Sequence, residues 1–134
     1  MRFDTKIAVA VRDDLAGWQR LNVTAFLVSG LPQRFPELLG EPYEDAAGNR
    51  YLPMFRQPVL VFGADSEALD RVHAQALSRG LATAVYTDEL FTTDNDADNR
   101  AVVLAAEKLR LTGLAVYGPR NAVDKTTKGL ALHR

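Results

Sequence analysis

A chain of 134 residues, 47% apolar and 25% charged with a formal net charge of -1, reads as one globular domain able to bury its own core. It has no cysteine, which excludes disulfides and thiolate chemistry, and its near-zero charge argues against a protein that holds nucleic acid by charge alone, leaving only a local basic patch for that role. The start, MRFDTKIAVAVRDD, lacks a signal-peptide pattern, and no segment approaches the roughly 18–20 apolar residues of a membrane span, so a soluble cytoplasmic protein is expected.

Ile7–Val11 is a continuous apolar run bounded by charge, the pattern of a strand buried on both faces and hence of a parallel sheet covered by helices. Arg12, Asp13 and Asp14 end it, and Asp14 is placed to cap the helix that follows. Trp18, Leu21, Ala25 and Phe26 recur at helical spacing as the expected buried stripe. Val23, Leu27 and Val28 widen it, and Asn22 inside it needs partners. Gly30 and Pro32 stop the helix. Leu31–Gln57 is irregular and holds four of the six prolines. Within it, Tyr43–Tyr51 has two short arms around Gly48 and Asn49, a hairpin pattern. So long a stretch is read as a flap, a contact surface or an insertion that packs its aromatics down.

Pro58–Gly63 is a second buried strand. Asp65 or Ser66 caps the next helix, with Leu69, Val72, Ala76 and Leu77 as its apolar stripe and Gly80 as its closing glycine. His73, at the edge of that stripe, and His133, in the tail, are read as non-catalytic. Leu81–Thr87 is a third strand with Asp88 directly after it. An acidic loop leads into a helix over 97–108, capped by Asp98 and with Ala101, Leu104, Ala105 and Lys108 on one face. Leu111–Tyr117 is a fourth strand, Gly118 and Pro119 a turn, 121–128 a short helix closed by Gly129, and Leu130–Leu132 a last short strand. Strands separated by helices imply right-handed crossovers and a parallel set, with the fourth strand free to run antiparallel. The expected fold is α/β, a three-layer α/β/α sandwich on a small mixed, mostly parallel sheet of about four strands. Residues 1–134 form a single domain with a Pro-rich insertion at 31–57.

Ligands of open α/β sheets bind outside the carboxyl ends of the parallel strands. That rule gathers Asp13 from the first strand, Asp88 from the third, and Gln19 and Asn22 from the first helix. Asp88 is the candidate catalytic carboxylate, with Thr92 and Thr93 as hydrogen-bond donors; the plain alternative makes Asp13, Asp14 and Asp88 turn and cap residues. Asp94, Asp96 and Asp98 resemble the opening of a calcium loop, but Asn99 stands at the turn glycine and Ala105 where a bidentate glutamate belongs, so no metal is expected. Gly118-Pro119-Arg120 opens a helix where an anion is favoured, with Arg120 and Lys125 as candidate phosphate ligands. GxGxxG, GxSxG and paired-histidine patterns are absent, and no cofactor is expected.

The order strand-VRDDL-helix, then PVLVFGADSEAL and ALSRGLATAVYTDE, then LTGLAVYGPRNAVDKTTKGLALH resembles type II peptidyl-tRNA hydrolases, which carry a VVRxDL strand end and a VLGIGP…DKVTGHLKLL ending in the same order. It is most similar to a bacterial group of uncharacterised proteins that share that fold and a W-x-x-LNVTAF helix start. The resemblance implies an α/β/α sandwich, with Asp88 matching the hydrolase aspartate and Thr92 or Thr93 its threonine. The hydrolases also use a lysine early in the first helix. Here that segment is Trp18–Ala25, no lysine lies between Lys6 and Lys108, and Arg20 supplies the charge without being able to release a proton. The leading reading is that fold in another role, binding an unknown small molecule at the Asp13/Asn22/Asp88/Thr92 edge with the insertion as a flap. The alternatives are an active hydrolase, with tRNA as partner and Arg20 or Lys125 holding it, and a non-catalytic homodimer joined through the insertion.

Overall fold

The computed structural model describes residues 2–134. The chain runs β1 (Thr5–Arg12), α1 (Gly17–Val28), β2 (Tyr43–Glu44), β3 (Arg50–Tyr51), β4 (Val59–Ala64), α2 (Ser66–Ser78), β5 (Ala82–Thr87), α3 (Asp96–Ala105), β6 (Leu111–Pro119), α4 (Arg120–Thr126) and β7 (Ala131–Leu132), with 3-10 turns at Pro36–Leu38 and Asp88–Phe91. The main sheet has five strands in the order β5-β6-β1-β4-β7, and β2 and β3 form a separate hairpin. The sheet is mixed, as expected, but it is not mostly parallel: only β1 and β4 pair in parallel, and β1/β6, β5/β6 and β4/β7 are antiparallel. The reason is β6. Seven consecutive buried residues, Leu111–Tyr117, make it a central strand, so it enters between β1 and β5 instead of adding at an edge. β1, β4 and β5 still point the same way, and their carboxyl ends share one edge. No helix among the described residues is long and apolar enough to cross a membrane.

Alternate residues of a strand face opposite sides of the sheet. Ala8 and Ala10 of β1 meet Leu69, Val72 and Ala76 of α2 and Val123 of α4. Val9 and Val11 meet Val23 and Leu27 of α1. Along this stretch β1 turns alanines toward α2 and the larger valines toward α1. α1 comes closest at Gly113, where a Cβ would lie 2.9 Å from the Ala10 carbonyl oxygen, 3.0 Å from Val23 Cγ1 and 3.2 Å from Leu27 Cδ1.

The helices correct several expectations. Asp14 does not cap α1. Ala16 is the N-cap, its N–H donates to Gln19 Oε1, and Asp14 turns back to Arg12. Nor is the Trp18–Leu21–Phe26 stripe buried: these residues are exposed, and Val23 and Leu27, four apart, form the face pressed on the sheet. Trp18, Asn22 and Phe26 lie on the flank toward β5, where Trp18 meets Phe91 edge-on at 6.0 Å and Phe26 meets Tyr86 at 5.9 Å. Aromatic side chains gain from such edge contacts without full burial. Leu77 likewise leaves the α2 stripe for solvent, while Leu69, Val72 and Ala76 are buried. α3 starts at Asp96, is capped by Asn95 instead of Asp98, and stops at Ala105, short of Lys108. The turn expected at Gly118 and Pro119 is still strand, paired with Lys6 and Thr5.

In the 31–57 segment, Leu31, Phe35, Leu38 and Phe55 pack onto Ile7, Val59 and Tyr117. The expected hairpin is present, with Gly48 at φ 87° in its turn, a conformation that suits glycine. Asp45 organises it by accepting from the N–H groups of Ala47 and Asn49, the Asn49 amide and the Tyr51 hydroxyl. The Tyr51 hydroxyl, then Asn49, bring the Asp45 carboxyl down from 3.8 to about 2. A depressed carboxylate supports structure above its unfolded pKa and loses that support as pH falls through its folded one. The turn should therefore stay ordered at pH 4 and loosen as pH falls toward about 2. A carboxyl-carbon NMR titration checks this, and Tyr51→Phe should raise the Asp45 midpoint; an unmoved midpoint would dismiss the tyrosine bond as its main cause.

Candidate functional site

Two concave regions lie near the carboxyl end of β1, on opposite faces of the sheet. The first is a polar corner on the α2 side. Arg12 Nη1 donates to Asp88 Oδ1 at 2.8 Å and to the Leu111 carbonyl at 3.0 Å, and its Nε donates to Asp14 at 2.7 Å. Thr112 Oγ1 donates to the same Asp88 oxygen at 2.7 Å. Burial works against the Arg12 charge, but the bonds and charges of Asp14 and Asp88 outweigh it, so its pKa is raised. The adjoining cleft of about 170 Å³ carries Ser66, Asp70, Lys108 and Arg110. Its charges are matched internally: Lys108 lies 3.8 Å from Asp70, and Arg110 lies 3.4 Å from Glu89.

The second is an apolar trough of about 520 Å³ on the α1 side. Val11, Val59 and Val61 form its floor, α1 one wall, and Phe55 part of the other. It exists because α1 sits over β1, β6 and β5, whereas beyond β4 the sheet adds only the two-residue β7. Arg20, Thr24 and Val28, spaced by four, turn one flank of α1 toward it. The His133 N–H donates to the Val61 carbonyl at 2.8 Å, which brings the tail to this wall. Arg20 Nη1 lies 3.1 Å from His133 Nε2. A guanidinium only donates, so Nε2 accepts and the ring proton sits on Nδ1. Arg20 forms no ion pair among the described residues, and its buried Nε–H has no acceptor there, a deficit of about 1–3 kcal/mol.

This arrangement divides the residues that sequence reasoning grouped. Asp88 lies with Arg12 and Thr112, whereas Gln19, Arg20 and Asn22 are on α1, across the sheet. Asn22 partners Tyr86, whose phenol is pushed up by burial and eased back by Asn22. Asp13 is exposed, with its N–H bonded to the Ala64 carbonyl. Thr92 Oγ1 donates to the Glu89 carbonyl at 2.8 Å, and Thr93 Oγ1 bonds Leu90 and Asn99, so both close the turn after Asp88. Arg120 is at the opposite edge, where its Nε donates to the Phe3 carbonyl and its N–H to the Asp4 carbonyl. Lys125 is exposed in the last turn of the short α4. Asp96 and Asp98, read against a calcium loop, turn to Arg100 and Asn95. Two residues were passed over. In the sequence Thr112 reads only as part of a strand and His133 only as tail; the apolar Leu130–Leu132 beside His133 is the signal that ties the tail to the sheet.

The family model described as a protein of unknown function, DUF2000, matches residues 5–134. The chain belongs to the DUF2000 family. A solved protein of unknown function from Agrobacterium tumefaciens is 48% identical to it, with a TM-score of 0.96 over 99% of this chain and 100% of that one. No curated protein matches. The match to DUF2000 takes in both the corner and the trough, since it spans β1 through the tail.

Proposed function

We propose that this DUF2000 chain binds a small molecule in the trough between α1 and β4. The observation that carries the reading is a concavity of about 520 Å³ with apolar walls and the Arg20–His133 pair among its lining residues. Ligand sites are commonly about 300–1,000 Å³, largely apolar, with a few converging polar groups. The reading keeps Arg20 from the expected ligand set and adds His133, moving the site from the strand-end corner to the α1 face. Phe55 gives the 31–57 segment a part in it as a wall.

The test is the fluorescence of N-phenyl-1-naphthylamine, a neutral apolar probe, with wild type and Ala25→Phe. Ala25 is exposed on α1 and lines the trough, so the larger side chain fills the site without disturbing the core. Wild type should bind the probe, and Ala25→Phe should weaken it about tenfold or more. Equal binding by both would sink the reading.

A second reading draws on the corner. Asp88, which the resemblance to type II peptidyl-tRNA hydrolases matches to their catalytic aspartate, accepts from two donors. We infer a hydrolase-like three-layer sandwich from α1 on one face of the sheet and α2 with α4 on the other. Under this reading Asp88 orients water, and tRNA is the partner. Wild type should then turn over a peptidyl-tRNA, with Asp88→Ala at least about 10²-fold slower; no turnover by wild type ends it. The homodimer reading draws on Tyr43, Tyr51, Leu52 and Met54, all exposed on or beside the hairpin.

A further inference from the structure

We infer that the molecule held in the trough is a monocarboxylate with an apolar body, its carboxylate bound by Arg20 and His133. This rests on the trough being the binding site, and it names what that site selects. The polar end offers donors in excess of acceptors. His133 spends its acceptor on Arg20 Nη1 and keeps its Nδ1–H, while the guanidinium has its other N–H groups to give. Thr24, the remaining polar residue of the lining, has spent its hydroxyl proton on the Arg20 carbonyl at 2.8 Å. An ionised carboxylate, which only accepts, is the complement of such an end.

Charge points the same way. Arg20 is the one permanent charge in the lining, no acid lines the trough, and Arg20 forms no ion pair among the described residues. An incoming anion meets no competing carboxylate from the protein. A single planar fork matches a planar monoanion held through two oxygens. A dianionic phosphate would ask for more positive charge than one guanidinium supplies. Away from this end, Val28, Phe55, Val59 and Val61 present only hydrocarbon, which suits an aliphatic or aryl body.

The experiment is displacement of N-phenyl-1-naphthylamine from the full chain by octanoate, octanol and octyl phosphate. It is run on wild type, Arg20→Met, Arg20→Lys and the trough-filled Ala25→Phe. Octanoate should displace the probe at about tenfold lower concentration than octanol, the advantage expected of charge-assisted hydrogen bonds. Arg20→Met should erase that difference, weakening displacement by octanoate about tenfold more than displacement by octanol. Arg20→Lys, which keeps the charge and loses the fork, should fall between the two. Octanol matching octanoate in wild type, or octyl phosphate displacing better than octanoate, would overturn the carboxylate assignment while leaving the trough as the site. Probe binding that Ala25→Phe does not weaken would overturn the site itself, and the inference with it.

Discussion

Gly113→Ala should destabilise the protein by about 3 kcal/mol, the upper end of what overpacking a core costs. The added carbon would lie 2.9 Å from the Ala10 carbonyl oxygen, which belongs to the central strand and cannot move without breaking the ladder. It would also press on Val23 and Leu27, the two buried residues of α1. Relief requires α1 to lift from the sheet, uncovering side chains whose burial contributes roughly 1.5–3 kcal/mol each. Against a total stability of about 5–15 kcal/mol for a typical domain, the loss is severe. Gly17→Ala is the matched control. Nothing lies within 4 Å of a Cβ at Gly17, and alanine favours the helix, so it should be neutral or stabilise by about 0.5 kcal/mol. Urea unfolding of the two variants beside wild type decides the matter; a Gly113→Ala loss under about 0.5 kcal/mol would mean that α1 is not tightly seated. The same seating sets the width of the trough, so any Gly113→Ala protein that remains folded should also bind the apolar probe differently from wild type.

What the sequence disclosed, and what it withheld, follows from which signals are local. The β1 run, the Asp65 cap, the hairpin around Gly48 and the tail strand are written in neighbouring residues, and each was found where expected. Sheet order is not local. Leu111–Tyr117 is the most continuously buried strand of the chain, but its run of Leu, Val and Ala does not say which two strands it will separate. The buried face of α1 was misjudged for a related reason. Trp18 and Phe26 are larger than Val23 and Leu27, but Val23 and Leu27 fit the close approach at Gly113, and Leu21, as apolar as Leu27, is left on the exposed flank, so position and shape decided over hydrophobicity. The candidate site failed at strand parity. Knowing that Arg12 and Asp88 leave the same edge did not reveal that they lie on the α2 side, with Arg20 and Asn22 on the other. Arg20 was singled out as a charge standing where a lysine was expected, and the histidine that completes its end of the trough lies 113 residues further along the chain.

The corner itself should behave as an anchor, and a double-mutant cycle at Arg12 and Asp88 measures this. The Arg12 side chain is only 16% exposed and serves two carboxylates and a backbone carbonyl at once. Arg12→Ala leaves the Leu111 carbonyl without that donor and leaves Asp88 with Thr112 as its remaining donor, at an expected cost of about 2–3 kcal/mol. Asp88→Ala should cost less, about 1–2 kcal/mol, because its side chain is 37% exposed and water takes over part of its solvation. The double variant should recover about 1 kcal/mol relative to the sum of the two, since each partner is worth little once the other has gone. Asp14→Ala should be nearly silent: Asp14 is 66% exposed, and a pair so open to water contributes little. Urea unfolding gives all four values. A coupling under about 0.5 kcal/mol would refute the anchor. A coupling of the expected size together with unchanged peptidyl-tRNA turnover in Asp88→Ala would make the corner structural. Its aspartate would then tie the end of β5 to the centre of the sheet, and the trough across the sheet would be left as the place where this chain meets a ligand.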